Sequence, residues 1–414
     1  MIPLYGKTIQ VRNAEDLRKS LLARWRATRT TLPNNEEGWY RRLETNDRIG
    51  IVATAQGVIS TYGVDDSYNF DRIFDTLLLK QGSDGSWSFI TNMGDRGVVD
   101  ATAWSILALV NDPRESTASS LVSAADWILD SCHRDGGWGI CRGASFRTFS
   151  TALAIRSLNA LQRHDHSEFQ RGVQALLASL DGPSGLWNDF SNSSSVVATC
   201  HCIMALESLP SAGDYSEIVD RATASMVRTL NGSRRWSECR HLGKLEEVEQ
   251  TIRSGRKIRI EYRHCAVEWA VATLIGRKQL PHSGSVLNEF SRILESGSED
   301  YRGSSTVHTQ GNNLTSYELH DTIQVLNSFL NHYAQDSKIW FTKSRVVTQP
   351  RHQLGARFWL KKYGGSVAVG LTMVSVFAVA YFVGSRQTFL ETYVIPFAVS
   401  FFASIVAWFY TRDK

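Results

Sequence analysis

The chain has 414 residues, 43% apolar and 21% charged, which suits one large globular core with additions and excludes a low-complexity chain. Lys and Arg number 45 against 41 Asp and Glu, and a net charge of +4 is too weak for a nucleic-acid groove, so no nucleic-acid partner is expected. The six cysteines form no CxxC pair, and the start reads as no secretory leader, so reduced intracellular thiols are expected.

Residues 1–34 read as an amphipathic helical segment. Ala14 to Thr28 places Leu17, Leu21, Leu22 and Trp25 on one face and Arg18, Lys19, Arg24 and Arg26 elsewhere. Such a helix packs on a neighbouring core or touches a membrane or partner.

A repeat follows. Trp39, Trp87, Trp138, Trp187 and Trp236 are separated by 48, 51, 49 and 49 residues. The first four follow a Gly closely, as in E-E-G-W, D-G-S-W, D-G-G-W and S-G-L-W. Beyond each of these four lies a Thr that opens an apolar stretch (Thr54, Thr102, Thr151, Thr199), and the last three are followed by Leu109, Leu158 and Leu206. The stretch from Leu77 to Leu109 shows the unit: a helix end, a turn holding Asp84-Gly85 and Trp87, then a helix from about Val99. Gly85 is expected to supply the left-handed geometry of a helix stop.

Two less regular units complete the series. His264 to Leu274 fits the apolar helix of a fifth, delayed by an inserted β-hairpin from about Leu245 to Tyr262 that turns at Ser254-Gly255. Val286 to Leu294 and Leu319 to Leu330 supply a sixth pair, with Tyr301 near the expected Trp position. Helical pairs of this kind bury their apolar faces only by stacking, into either a closed ring or an open solenoid. The repeat domain spans 35–335.

Residues 336–362 read as a basic linker: Lys338, Lys343, Arg345, Arg351, Arg357, Lys361 and Lys362 stand without an acid among them. Tyr363 to Val383 and Phe389 to Tyr410 are long apolar runs, so 363–410 reads as a transmembrane helical hairpin. Phe358, Trp359, Trp408 and Tyr410 fit an interfacial belt, and the flanking basic residues put the repeat domain and both termini on the cytoplasmic side.

Gln81 to Trp87, Q-G-S-D-G-S-W, resembles the QW motif of terpenoid cyclases, and the stretch ending at Gly137-Trp138 resembles it with Cys132 in place of Gln. The whole array resembles the α/α-toroid superfamily of squalene-hopene-type cyclases and protein prenyltransferase β-subunits. The resemblance implies an all-α fold, an (α/α)6 toroid, to which the residues themselves add a small β-hairpin insertion and two C-terminal transmembrane helices. It also implies an apolar cavity suited to an isoprenoid or other lipid.

Aligning the helices on their Thr stacks residues into tiers. Two positions before it stand Val52, Asp100, Phe149, Val197, Cys265 and Tyr317. Two after it stand Gln56, Trp104, Leu153, His201, Trp269 and Asp321, with Glu268 and His320 one position after. From these tiers Trp104, Phe149, His201, Trp269, Glu268, Tyr317, His320 and Asp321 are the expected ligand-binding residues.

Asp100 is the candidate catalytic acid. The cyclase resemblance offers a proton-donating Asp within D-x-D-D-T-A, and V-V-D-A-T-A keeps the middle acid with Thr102-Ala103 but has Val98 and Ala101 in place of its acidic neighbours. The competing role is a helix N-cap. The prenyltransferase zinc pattern D-x-C is interrupted by Thr102, and Cys200-His201-Cys202, His264-Cys265 and His320-Asp321 lack linking ligand spacing. No cofactor is expected, and neither zinc nor magnesium is supported. The inserted hairpin is a candidate protein-partner surface or lid. Two functions follow as expectations: a membrane-anchored toroid that binds an isoprenoid or other apolar ligand, with catalysis left open, or a non-enzymatic scaffold that recognises a partner.

Overall fold

The computed structural model describes residues 3–4, 7–8, 10–40, 43, 49–64, 69–89, 97–188, 193–232, 244–251, 257–263, 266–277, 316–332, 338–342 and 345–349. Six helices are the inner elements: α2 (Ile51–Thr61), α4 (Val99–Leu109), α6 (Thr148–Ala160), α8 (Val196–Glu207), α10 (Ala266–Gly276) and α11 (Ser316–His332). Each packs against the next, and α11 packs back onto α2, so the series closes into a ring. Periodicity left ring and solenoid open; this contact decides for the ring.

Outside them lie α1 (Ala14–Thr28), α3 (Phe70–Leu79), α5 (Glu115–Asp130), α7 (Ser167–Ala178) and α9 (Ser216–Asn231). The two sets differ as their sequences require. Inner helices such as α8 are apolar on nearly every side and bury ten of twelve residues. Outer helices are two-faced: α3 buries Ile73, Phe74 and Leu77 and leaves Asp71 and Asp75 outward.

One pair of contacts recurs in every Trp unit described. The indole N–H of Trp39, Trp87, Trp138 and Trp187 donates to a carbonyl near the end of the preceding outer helix, on Trp25, Leu77, Ile128 and Leu176, at 2.8, 2.7, 2.6 and 2.8 Å. The backbone N–H of the same Trp donates to the hydroxyl of Thr54, Thr102, Thr151 or Thr199, at 3.2, 3.0, 2.9 and 3.0 Å. Its carbonyl in turn accepts from the N-cap residue of the inner helix, Gly50, Val98, Arg147 or Ser195. These four Trp side chains are fully buried. The Trp-to-Thr spacing is thus the length of chain that this clasp encloses.

The Gln of the QW-like stretch joins neighbouring units. Gln81 donates to the carbonyls of Gly85 and Ser120, at 2.8 and 3.0 Å, and accepts from Ser120 Oγ at 2.5 Å, linking the turn to α5. In the next unit the Cys132 thiol takes that position and reaches the Glu168 carbonyl of α7 at 3.7 Å, a longer and weaker link. Gly85 has φ +89, but α3 has already ended at Lys80, so Gly85 is not the helix stop expected. A Cβ there would lie 2.5 Å from the Ser123 carbonyl oxygen, so glycine permits the close approach to α5.

The N-terminal segment belongs to the ring. Helix α1 packs on α11 and α2 as an outer helix, burying Leu21, Leu22 and Trp25, while Arg18 reaches Asn327 on α11 at 3.4 Å. Strands are more numerous than one inserted hairpin. β1 (Pro3–Leu4) pairs with β2 (Lys7–Thr8), and β4 (Arg29–Thr31) pairs with β5 (Glu37–Trp39). β3 (Gln10–Asn13) pairs with β8 (Lys338–Thr342), which pairs with β9 (Arg345–Gln349). The stretch read as a basic linker therefore contributes two strands to a sheet shared with the N-terminal segment.

The inserted hairpin is present as β6 (Lys244–Thr251) and β7 (Lys257–Arg263), antiparallel, with Val248 opposite Ile260. Its expected turn at Ser254-Gly255 lies outside the described residues, as do Trp236, the helix from Val286 to Leu294, Tyr301 and the apolar runs of 363–410. Among the described residues no helix is long and apolar enough to cross a membrane.

The clasp gives a direct test. Thr102→Val keeps the shape but strips Trp87 N–H of its buried acceptor, which should cost about 1–3 kcal/mol. Urea unfolding followed by circular dichroism should show a lower midpoint for Thr102→Val and a near-native one for Thr102→Ser.

Candidate functional site

The starts of the inner helices gather at one end of the ring. There the backbone N–H of Ile51 and Val99 donates to the carbonyls of Phe89 and Ile140, in the loops of the next repeat. Along each helix, residues three or four apart share a face. The tier two positions before each Thr occupies this end. Asp100 and Tyr317 are partly accessible there and Phe149 is 9% exposed, whereas Val52 and Val197 are buried. Cys265 lies outside the described residues.

The tier two positions after the Thr forms a buried floor across the ring. Gln56, Trp104, Leu153, His201, Trp269 and Asp321 are all shielded, as are Glu268 and His320 beside them. Aromatic rings from five helices meet in this layer and at its edge. Phe149 and Trp269 flank His201 at centroid distances of 4.6 Å each. His320 lies 6.1 Å from Trp269 and 5.2 Å, edge-on, from Trp104. Helices α4, α6, α8, α10 and α11 are thereby joined through their rings. The sixth, α2, joins through polar contacts: Gln56 Oε1 accepts from Ser316 Oγ at 2.9 Å, and Ser60 Oγ lies 2.9 Å from His320 Nδ1.

The structure brings together Trp104, Phe149, His201, Trp269 and His320 by direct ring contact. It places Glu268 and Asp321 as buried carboxylates in the same layer, and Asp100 and Tyr317 at its N-terminal end. The indole N–H groups of Trp104 and Trp269 and Nε2 of Gln56 are shut off from solvent and have no hydrogen-bond partner among the described residues. A buried donor without an acceptor is costly, so this layer has polar capacity that its own side chains leave unused.

Asp100 is the second residue of α4, and the N-cap is Val98. The N-cap role weighed for Asp100 is therefore not the one it has. A first-turn carboxylate faces the partial positive charge of the helix start, and Asp100 Oδ1 is enclosed by protein.

The soft donors on α8 are core groups. Cys200 and Cys202 are fully buried, and Cys200 Sγ lies 3.5 Å from Met226 Sδ. Burial pushes the Cys200 thiol up to about 12 and holds Cys202 well above the ordinary thiol range. Among the described residues no three His, Cys, Asp or Glu side chains converge as a metal site.

Sequence reasoning passed over two inward groups, Ser60 and Arg156. Both follow from carrying the tiers one turn further along α2 and α6. Arg156 occupies the face of α6 that carries Phe149 and Leu153.

Comparisons with known proteins sharpen the fold more than the activity. No family model matches the chain. A segment of 106 residues is 34% identical to a copalyl diphosphate synthase of Streptomyces cyslabdanicus; it makes up 26% of this chain and spans 18% of that protein's length. A family 76 glycoside hydrolase from a bovine Bacteroides thetaiotaomicron strain superposes with a TM-score of 0.52 at 10% identity, over 77% of each chain. An α-1,6-mannanase of Salegentibacter sp. HEL1_6 gives 0.52 at 12% identity, over 77% of this chain and 99% of its own. At such identities the likeness shows the fold, an α/α toroid.

The thiol assignments are checked by reactivity. Cys200 and Cys202 should resist iodoacetamide at pH 8 in the native protein and become labelled once urea unfolds the ring. Peptide mapping by mass spectrometry reads both sites, and prompt native labelling of either would place it in an accessible site.

Proposed function

We propose that the toroid binds an isoprenoid, or a comparably apolar chain, at the N-terminal end of the ring, with Asp100 placed to protonate an alkene of that chain. The carrying observation is the layer in which Trp104, Phe149, His201, Trp269 and His320 meet ring to ring beneath the end that holds Asp100. Aromatic faces attract delocalised positive charge, and the buried carboxylates of Glu268 and Asp321 add to that field. In the proposed step the Asp100 O–H bond breaks, its proton forms a new C–H bond, and the alkene carbon left behind becomes a carbocation. An internal alkene then attacks that carbon, and loss of a proton ends the reaction. The match of 106 residues to a copalyl diphosphate synthase supports an isoprenoid as the ligand class. The apolar runs of 363–410 would hold the ring at a membrane, on its cytoplasmic side, where such chains reside.

A second reading, a non-enzymatic scaffold, is favoured by one specific observation. Val98 and Ala101 stand where acidic neighbours would tune the acid, and Asp100 serves the start of α4 electrostatically whether or not it reacts. In that case the β6–β7 hairpin is the candidate partner surface.

The two readings separate in one experiment. The full chain in non-ionic detergent is incubated with geranylgeranyl diphosphate or squalene, and products and retained lipid are both measured by mass spectrometry. Asp100→Asn should abolish product while leaving lipid retention within about threefold, whereas Trp269→Ala should weaken retention itself. Retention without product in the wild type leaves the scaffold reading, and no retention of either compound removes the isoprenoid proposal.

A further inference from the structure

The opposite end of the ring has its own chemistry. Five positions after the Thr, one further turn along the inward face, stand Ile59, Leu107, Arg156, Met204 and, on α11, Gln324. Each is partly accessible, whereas both of its chain neighbours are buried: Val58 and Ser60, Ile106 and Ala108, Ile155 and Ser157, Ile203 and Ala205, Ile323 and Val325. Accessibility at this one inward-facing position, flanked by buried neighbours on five of the six inner helices, points to a recess at their C-terminal end. It is a different place from the Asp100 end, because Phe149 and Arg156 lie seven residues apart on α6, about 10 Å along the axis.

Three of these wall residues are apolar and one is a cation. Among the described residues Arg156 Nη1, enclosed by protein, has no hydrogen-bond partner, and no carboxylate pairs with the guanidinium. Burial pushes it down to about 10, well below its ordinary value. The C-terminal carbonyls of α6 lend it some negative potential, but those of Ser157, Leu158 and Asn159 already accept from backbone N–H groups of Leu161 and Gln162. A guanidinium offers five donors in a planar fork that matches a phosphate or carboxylate. Around the same end Tyr62, Val64 and Val110 are exposed apolar residues just beyond α2 and α4.

We propose that this recess binds a small anionic amphiphile, its phosphate or carboxylate head on Arg156 and its apolar part against Ile59, Leu107 and Met204. The site is independent of the reading given for Asp100. A single-chain phosphate and a phospholipid headgroup share this chemistry.

The test uses the full chain in a neutral detergent, with decyl phosphate, dihexanoyl phosphatidate and decanol as probes in titration calorimetry. Both phosphates or either one should bind, and decanol should bind roughly tenfold more weakly for want of the charge. Arg156→Met should lower phosphate affinity by at least about tenfold and raise the melting temperature of the ligand-free protein, because it removes a cation that the fold does not pair. Arg156→Lys should retain affinity within about tenfold, as a point charge without the fork. Preference for dihexanoyl phosphatidate identifies a lipid headgroup as the source, and preference for decyl phosphate a single-chain ligand. Absence of binding by both phosphates, unchanged affinity in Arg156→Met, or a lower melting temperature in that variant would each overturn the proposal; the last would show that the guanidinium serves the fold. None of these readouts depends on whether Asp100 turns over an isoprenoid.

Discussion

The hydrogen bond from a tryptophan backbone to a threonine hydroxyl is the constraint from which this ring is built. An inner helix begins with backbone N–H groups that no earlier turn of helix can satisfy. Here the Trp carbonyl takes the first of them, at Gly50, Val98, Arg147 and Ser195, while the Thr hydroxyl one turn in returns a bond to the Trp N–H. The indole on the same residue reaches back to the preceding outer helix. Three elements are thereby set by one residue, and little freedom is left in the angle between outer and inner helix. Four such clasps set α2, α4, α6 and α8, and the packing of α10 on α8 and of α11 on α10 returns the series to α2.

A ring of parallel-starting helices has two unlike ends. One gathers helix starts and holds Asp100, Phe149 and Tyr317; the other gathers helix ends and holds Arg156 among apolar neighbours. Between them lies a layer in which two indole N–H groups and the Gln56 amide find no acceptor among the described residues. Helices covered on the outside by other helices can expose side chains only inward or at their ends. Chemistry in this fold is consequently confined to the axis, and a change of one residue along a helix moves a group from packing to the axis.

The architecture was legible because its signal is periodic and its cause local. Trp39, Trp87, Trp138 and Trp187 advertise the clasp, and the distance to each Thr reports the loop within it. Stacking on the Thr also puts Trp104, His201 and Trp269 in one tier, with His320 one position away from it. What stayed hidden lacked a local signature. Helix α1 has no Trp-to-Thr clasp before it, so nothing in its own residues said that it closes the circle beside α11. Strands β8 and β9 read as a linker because the strand that anchors them, β3, pairs with β8 from more than 300 residues away in the chain. Arg156 was passed over because the tiers stopped one turn short, and a single arginine amid Ile155 and Ser157 carries no pattern of its own. The N-cap reading of Asp100 failed by two residues, as helix boundaries read from sequence commonly do.

The pairing of β3 with β8 and the packing of α1 on α11 make a seam between the two ends of the folded ring. The other inner junctions join helices that are neighbours in the series, whereas this seam, together with the contact of α11 on α2, joins segments separated by nearly the whole repeat array. Its loop-closure entropy is the largest in the ring, and on a ribosome it must wait until β8 has emerged. Helix α1, made first, is therefore the outer helix that spends longest without its full set of neighbours, with Leu21, Leu22 and Trp25 as the surface awaiting burial. The same topology makes the seam the natural place for the finished ring to breathe, since opening it separates α11 and β8 from α1, α2 and β3 and leaves the clasps of the other units whole.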